Sequence, residues 1–461
     1  MNDLETICRL VESNISPVSQ NQEADQKPGE QPDRLLDLAT QKQAIIGYPE
    51  AVKIYKEAIA KVLDAGGLRG ESAIPPWYES EEDAVFHEIW GRAGMAEWWY
   101  EAYAMSPSAK IIGDEIYFLI DGQMCLRPQR ISEHRRKQLI RAFLLLSPDE
   151  RLDRDFHEIY LLDGCRVTIF KDGMAKKGLD AIIFRRYIIP EYTLREQASR
   201  GTIPASAIPL FTSMVKVGYN VVFCGSVRSA KTTFLSTWQS MEDPSLEGVM
   251  VETDPEIPIH RLMPGAPIVQ LLCDGEKLKT VSKNLLRSDA DYFIIAEARD
   301  GIALDTALRV ARRGQGRMKM TFHTRDPLTF PEDAAVEIVR SLGGDIRETA
   351  IRLAGSFDYL FHFVSVRQKN AKKLRGIYEI GKTQDIFGCD ENGNPSLFKS
   401  EDFARGWYVH EICRYNFESD TWVFFDHISK EKRERGMESD SAALIEFSGE
   451  LAKLASGGPQ K

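Results

Sequence analysis

Between about residues 205 and 365, short apolar runs alternate with longer stretches that have helical spacing. Short apolar runs bounded by turn residues are typical of buried parallel strands. The runs are VGYNVVFCG, GVMVETD, PIVQLLC, DYFIIAEA, MKMTFHT and YLFHFVSV. This alternation predicts an α/β sheet that carries a nucleotide at the carboxyl ends of its strands.

The chain before this region mixes helical and strand patterns. AVFHEIWGRAGMAEWWYEAYAM and EHRRKQLIRAFLLL have helical spacing, whereas CRVTIF and AIIFRRYII are typical of strands. KIIGDEIYFLIDGQMCLRP predicts two strands joined at Asp121-Gly122, a dipeptide favoured in tight hairpins. The triplet Trp98-Trp99-Tyr100 could form a recognition patch, but such clusters beside a hairpin usually pack inside, and we assign it to the core.

The two ends of the chain carry weaker patterns. Residues 15–35 are polar and poor in aliphatic side chains, which predicts a flexible arm followed by short helices. After residue 368, LRGIYEIG, WYVHEICRYNF and TWVFFDHIS predict strands, and the final segment predicts a charged turn and a surface helix. The run from Asp390 to Asn394 places its glycine too early for a calcium loop and predicts a turn.

Composition narrows the class of protein. Hydrophobic residues make up 43% and charged residues 28%, which is ordinary for a globular protein, and no apolar run is long enough to span a membrane. The acidic start predicts no secretory signal. Seven scattered cysteines without C-x-x-C spacing predict reduced thiols in a cytoplasmic chain and no zinc site. The net charge of −10 gives no general attraction to nucleic acid, so no nucleic-acid partner is expected.

The segment VVFCGSVRSAKTTFLSTW, residues 221–238, predicts a strand, a loop and the start of a helix. Gly225, Lys231 and Thr232 match the pattern G-x-x-x-x-G-K-[ST], whereas Ala230 replaces its second glycine. In that motif backbone N–H groups and a helix N-terminus hold phosphates, and the hydroxyl binds Mg²⁺. The match alone is weak, and an ordinary strand-to-helix connection is the alternative.

Three further strand ends carry polar side chains. DYFIIAEARDG ends in Glu297, which we place on the strand neighbouring the loop, where a carboxylate can hold the Mg²⁺ shell or orient water. GVMVETDPEIPI carries Glu252, Asp254 and Glu256, and MKMTFHT carries His323 at its end. Taken singly, none of them is specific: an acidic residue at a strand end is common, the acidic segment alone favours a solvated turn, and a lone histidine is usually structural.

In their order and spacing these segments resemble the secretion-system traffic ATPases, the hexameric motors of type II secretion, type IV pili and type IV secretion. In that family a P-loop is followed by an acidic box, a strand ending in Gly-Glu and a Thr-x-His box. This chain has GSVRSAKTT, VETDPEI, DYFIIAEARDGIALD and GQGRMKMTFHT in that order. The CpaF-like branch that builds tight-adherence (Flp) pili fits best, with the conjugative type IV secretion branch close to it.

The resemblance implies an α/β fold with a RecA-like P-loop ATPase domain at residues 205–367. An α+β N-terminal domain at 81–190 would precede it and cover the nucleotide, and a small β-rich C-terminal region with a helical tail would follow at 368–461. The arm with its short helices takes up residues 1–80, and residues 191–204 form a linker.

The resemblance also implies roles for individual residues. ATP and Mg²⁺ would be the ligands, with Thr232 and Glu297 binding the metal. Glu297 with Glu252 or Glu256 would position the attacking water, and His323 would sense the γ-phosphate. The residues that would cradle the phosphates are Gly225, Ser226, Val227, Arg228, Ser229, Ala230, Lys231, Thr232 and Thr233.

Three arginines would contact the nucleotide from the N-terminal domain. DGCRVTIF and FRRY resemble the family elements Gly-x-Arg-Val and Ile-Arg-Lys-Phe, which points to Arg166, Arg185 and Arg186. The implied assembly is a homohexameric ring in the cytoplasm, held at the inner face of the membrane by an integral-membrane platform protein of a pilus or secretion system.

The loop departs from the family, which has Gly-Gly-Thr-Gly-Ser-Gly-Lys-Thr. Ser226, Arg228 and Ala230 stand at glycine positions, and Gln315 stands where a histidine is expected. A Cβ at a site that needs positive φ is strained and hinders close approach of the backbone to phosphate. Because Lys231 and Glu297 are kept, we expect a functional but slow ATPase. A ring subunit or regulator that binds nucleotide without hydrolysis, and a DNA-transfer motor, remain alternatives.

Overall fold

The computed structural model describes residues 4–15, 38–70, 74–146, 153–171, 173–186, 192–273, 275–313, 316–366, 371–383 and 400–461. The chain divides into two compact units, Met1–Ile188 and Ile189–Lys461. Segment 16–35 of the predicted arm, Gln315 and the predicted turn at residues 390–394 lie outside the described residues. Within the described part, no helix combines the length and apolar character needed to cross a membrane.

The first unit contains a six-stranded antiparallel sheet in the order β3-β2-β1-β6-β5-β4. Its strands are β1 (Ser108–Ile112), β2 (Glu115–Ile120), β3 (Gln123–Arg130), β4 (Phe156–Tyr160), β5 (Arg166–Phe170) and β6 (Ala181–Arg185). Its helices are α1 (Leu4–Ile15), α2 (Leu38–Ile46), α3 (Pro49–Ala65), α4 (Glu81–Ile89) and α5 (Glu133–Leu144), with 3₁₀ turns at Ala93–Trp99 and Glu101–Tyr103. Trp98 is fully buried in the core on one face of the sheet, as predicted, whereas Trp99 and Tyr100 are half-buried.

The hairpin predicted at Asp121-Gly122 is confirmed. β2 pairs with β3 there, and the two turn residues have φ of 48° and 80°, the backbone that a tight two-residue hairpin turn requires. The prediction of two strands in this segment was wrong, because Gly113, with φ of 62°, turns the chain once more between β1 and β2. The segment therefore supplies three strands.

The second unit is built on a nine-stranded sheet in the order β15-β14-β13-β12-β7-β11-β10-β8-β9. Its strands are β7 (Val221–Gly225), β8 (Gly248–Glu252), β9 (Ile268–Leu272), β10 (Tyr292–Ile295), β11 (Met318–Phe322), β12 (Tyr359–Val366), β13 (Ala371–Lys382), β14 (Trp407–Asn416) and β15 (Thr421–Phe424). Its helices are α6 (Leu194–Ser199), α7 (Ile208–Val217), α8 (Lys231–Gln239), α9 (Ile259–Leu262), α10 (Gly275–Leu285), α11 (Gly301–Arg313), α12 (Phe330–Leu342), α13 (Ile346–Ala354), α14 (Ser400–Arg405) and α15 (Lys430–Ser456).

Strands β7 to β12 pair in parallel, and β13 to β15 add antiparallel strands to the same sheet. Helices cover both faces: α7, α8 and α15 contribute to one core, and α11, α12 and α13 to the other. The predicted α/β fold preceded by an α+β unit is confirmed. The carboxyl ends of β7, β8, β10 and β11 consequently meet at one edge of the sheet.

The last helix differs from its prediction. The segment predicted as a charged turn and a surface helix is helical from Lys430 onward, with one non-helical residue at Asp440. Phe447 and Leu451 are fully buried, and the Lys432 ammonium lies 2.9 Å from the carboxylate of Asp358, both of them buried. Its apolar stripe faces the sheet, so this helix is a core element.

Candidate functional site

The loop between β7 and α8 forms the turn that the sequence predicts. β7 ends at Gly225, whose φ is 143° and where a Cβ would lie 2.1 Å from the carbonyl oxygen of Phe363, so only glycine fits. α8 begins at Lys231, and the first N–H groups of a helix have no partner inside it. Loop residues 226–230 therefore lead into a helix end that attracts anions.

The loop residues differ in exposure and in backbone strain. Ser226, Val227 and Arg228 are exposed, and Ser229 is fully buried. Arg228 and Ala230 have φ of 61° and 78°, a left-handed backbone that costs an L-residue with a side chain about 1–2 kcal/mol. Of the three residues that stand at glycine positions of the P-loop pattern, Arg228 and Ala230 therefore have a strained backbone, whereas Ser226 does not.

A line of polar contacts runs along the sheet edge from the loop. The Lys231 ammonium donates to the carbonyl oxygen of Ser226 at 2.9 Å and lies 3.2 Å from Nδ1 of His323. Nε2 of His323 lies 2.7 Å from Oε1 of Glu297, whose other oxygen pairs with Arg299. Because an ammonium only donates, Nδ1 accepts and the Nε2–H donates to the carboxylate. The His323 ring thus connects the Lys231 ammonium to the carboxylate of Glu297.

The position of Glu297 corrects one prediction. β10 does not neighbour β7, because β11 lies between them. His323, directly after β11, occupies the intervening place and connects Lys231 to Glu297. Parallel strands joined by crossovers need not follow chain order, so the sequence of the segments did not reveal this insertion.

Burial and neighbouring charges set the protonation of two of these groups. Burial lowers the pKa of Lys231 to about 8, although the negative charge of Glu297 opposes the shift. Burial alone would raise the pKa of Glu297, but the hydrogen bonds from His323 and Arg299, together with the positive charge of Arg299, lower it to about 2. Glu297 is therefore a carboxylate throughout the physiological pH range.

The other acidic residues have separate tasks. Oε1 of Glu252, which ends β8, accepts hydrogen bonds from the backbone N–H groups of Glu256 and Ile257 at 3.1 and 2.9 Å. Burial raises the pKa of Glu252 to about 8. Glu252 thus holds the turn that follows β8, and the half-buried Glu256 lies on that turn. Asp254 lies 3.9 Å from Arg299, which the sequence did not indicate as a site residue.

The three arginines named from the sequence belong to the first unit. Arg166 and Arg185 lie opposite each other on β5 and β6, and Arg166 pairs with Glu158 at 2.5 Å. Arg186 donates three hydrogen bonds to backbone carbonyl oxygens of its own unit, and its guanidinium lies 3.8 Å from the centre of the Trp98 ring. The donors of Arg186 therefore serve local packing.

The donor set at the sheet edge suits Mg²⁺ held together with a nucleotide. Among the described residues, no group of three or more Asp, Glu, His or Cys side chains could hold a metal ion alone. Mg²⁺ in nucleotide sites takes one or two protein oxygens and completes its shell with water and phosphate. The hydroxyl of Thr232, at the start of α8, and the carboxylate of Glu297 are oxygens of this kind.

No protein-family model matches the chain, and no curated protein matches it. Solved structures do. The VirB11 ATPase of the Brucella suis type IV secretion system, in complex with sulphate, is 16% identical over 59% of this chain and 89% of its own, with a TM-score of 0.33. The Legionella pneumophila ATPase DotB is 15% identical over 77% of this chain and 85% of its own, with a TM-score of 0.42. The pilus retraction motor PilT with bound ADP is 17% identical over 56% of this chain and 74% of its own, with a TM-score of 0.42. Two of these neighbours are thus named as ATPases and the third as a pilus retraction motor.

Proposed function

We propose that the chain hydrolyses ATP with Mg²⁺ as a subunit of a homohexameric ring that drives pilus assembly or protein secretion. The observation that carries the proposal is the line of contacts from Lys231 through His323 to Glu297 beside a loop that leads into a helix N-terminus. These contacts bring the Lys231 ammonium and the ionised carboxylate of Glu297 to one sheet edge, and the proposal gives the ammonium the task of binding phosphate. Transfer of a phosphoryl group to water needs both.

Each group then has a defined task. The loop amides and Lys231 bind the phosphates, with the ammonium exchanging its contact with His323 for a phosphate oxygen. Thr232 and Glu297 would hold Mg²⁺, which neutralises phosphate charge when bound. With a pKa of about 2, Glu297 is too weak a base to keep a proton, so it orients the attacking water by accepting its hydrogen bond.

A nucleotide-binding subunit without hydrolysis is the second candidate. The strained backbone at Arg228 and Ala230 favours it, because side chains there hinder the loop amides from closing on the phosphates. Turnover measured on the purified chain separates the two candidates, since only the first releases phosphate.

The Ala230→Gly variant is expected to bind nucleotide several-fold more tightly. It removes the strain at φ of 78° and leaves every charge in the loop unchanged. Ser226→Gly is the matched control, because Ser226 occupies a family glycine position without a positive φ and has no such strain to lose. Isothermal titration of ATP into both variants tests this. Equal gains for the two variants, or no gain for Ala230→Gly, would contradict a strained loop.

We further propose that the ring is cytoplasmic, lies against the inner face of the membrane and acts on an integral-membrane platform protein. Its support is the resemblance to hexameric motors in four sequence segments. Light scattering at micromolar protein with ATP and Mg²⁺ is expected to give the mass of six chains, because a ligand that favours the closed arrangement stabilises assembly. A monomer mass under those conditions would contradict the ring.

A further inference from the structure

β12 and β13 extend past the end of β7. Phe363 of β12 pairs with Gly225, the last residue of β7, whereas β12 continues to Val366. Its final residues pair with the start of β13 at Ala371. The ends of β12 and β13 therefore lie beside loop residues 226–230, at the side of the loop away from β11.

Lys372 is placed toward the loop by this hairpin. It pairs with Ser365 across the ladder and donates to its Oγ at 2.7 Å. Ser365 is two residues beyond Phe363 and therefore on the same face of the sheet. The ring of Phe363 packs 4.9 Å from the ring of Phe234 in α8. Lys372 thus lies on the face that carries α8, the helix that the loop enters.

Arg228 supplies a second positive charge at this side. Its side chain is exposed and makes no ion pair or hydrogen bond among the described residues. Burial, and next the charge of Arg228, lower the pKa of Lys372. In the described part of the chain no carboxylate pairs with either cation. Two neighbouring cations without a counter-charge repel each other, and a bound anion would relieve that repulsion.

Charge is divided across the loop. On the side of β11 and β10, which we call the acidic side, stands the carboxylate of Glu297, an oxygen that suits a metal ion held together with phosphate. On the side of β12 stand Arg228 and Lys372, which suit phosphate oxygens. If Mg²⁺ binds on the acidic side, some phosphate oxygens carry negative charge that the metal does not neutralise. These oxygens would face the cationic side.

We propose that Arg228 and Lys372 together form an anion-binding contact for the polyphosphate of the nucleotide bound at the loop. This inference rests on the nucleotide site proposed above. The guanidinium of Arg228 offers a fork of donors and the ammonium of Lys372 a point charge. The positive side chains then compensate for the backbone N–H groups that cannot approach the phosphates closely. The affinity for nucleotide consequently depends on the salt concentration and on the number of phosphates.

The test compares Arg228→Asn, Lys372→Gln and the double variant in the full chain. Asparagine removes the charge and tolerates a left-handed backbone, so strain is little changed. ATP affinity at low salt is expected to fall roughly fivefold to tenfold for each single variant, because hydrogen bonds to charged groups are stronger than neutral ones. The double variant should lose less than the product of the two losses. The losses should be smaller for ADP, and smaller again at high salt.

Lys430→Gln is the charge-matched control. Lys430 is 85% exposed at the start of α15, where the nearby Lys432 contacts Asp358, the residue before β12 begins. Lys430 therefore lies near the end of β12 that is opposite to the loop, and the Lys430→Gln variant should bind ATP with parental affinity. Parental affinity in Arg228→Asn and Lys372→Gln, together with loss in Lys231→Ala, would overturn the anion contact and leave the nucleotide site standing. Parental affinity in Lys231→Ala as well would overturn the nucleotide site itself.

Discussion

Replacing Lys231 with alanine is expected to weaken ATP binding by roughly 30-fold or more. The Lys231 side chain is buried at the first position of α8, and truncating one partner of a buried charge pair costs about 2–5 kcal/mol. Equilibrium titration with ATP and Mg²⁺ measures the change. Lys216→Ala is the matched control, since Lys216 is an exposed lysine on α7 that pairs with Glu446. Equal affinities of the parental chain and Lys231→Ala for ATP would contradict the proposal that this loop binds the nucleotide.

The same variant should fold as well as the parental chain. Because burial lowers the pKa of Lys231 from 10.5 to about 8, its charged form is disfavoured in the folded state relative to the unfolded chain. Removing it is therefore expected to leave the melting temperature unchanged or to raise it near neutral pH. A melting curve separates a binding defect from a folding defect.

Replacing Glu297 with glutamine is expected to preserve ATP binding and to lower turnover by roughly 10²- to 10³-fold, the scale on which loss of one preorganised catalytic group acts. The amide oxygen can still accept the hydrogen bond from His323, so the line of contacts survives, but the charge that orients water and metal is lost. Dissociation constants and phosphate release at saturating ATP measure the two effects separately.

Glu348→Gln provides the matched control for this substitution. Glu348 is an exposed carboxylate on α13 that pairs with Arg352 along the same helix, and its loss should leave turnover unchanged. If Glu297→Gln releases phosphate at the parental rate, the carboxylate is not part of the reaction. A parallel loss of binding would instead indicate that Glu297 mainly supports the nucleotide.

Local signals were sufficient for much of the fold. The Asp121-Gly122 turn and the apolar runs that became β7, β8 and β10 were predictable because turn chemistry and short-range hydrophobic periodicity determine them. The order of those strands in the sheet was not predictable from local signals, since long-range packing places β11 between β7 and β10. The burial of Phe447 was missed for a similar reason: a stripe on a helix does not reveal which sheet face it covers.

The candidate site divides in the same way. Lys231, Glu297 and His323 were predictable because parallel strands bring their carboxyl ends to one edge. The contacts between them were not, because they depend on side-chain distances of about 3 Å that no spacing in the sequence encodes. Arg299 and Lys372 were not predicted as site residues. The position of each side chain depends on a contact with a residue from another segment, Asp254 for Arg299 and Ser365 for Lys372.

Hydrolysis of ATP requires that this loop binds the nucleotide and that Glu297 orients the attacking water. The most direct test is Mg²⁺-dependent phosphate release by the purified full chain, followed over many multiples of the protein concentration. We expect repeated turnover that stops when Mg²⁺ is removed and that nearly disappears in Glu297→Gln. Tight ATP binding with no phosphate release above the level of that variant would contradict it and leave a nucleotide-binding subunit without hydrolysis.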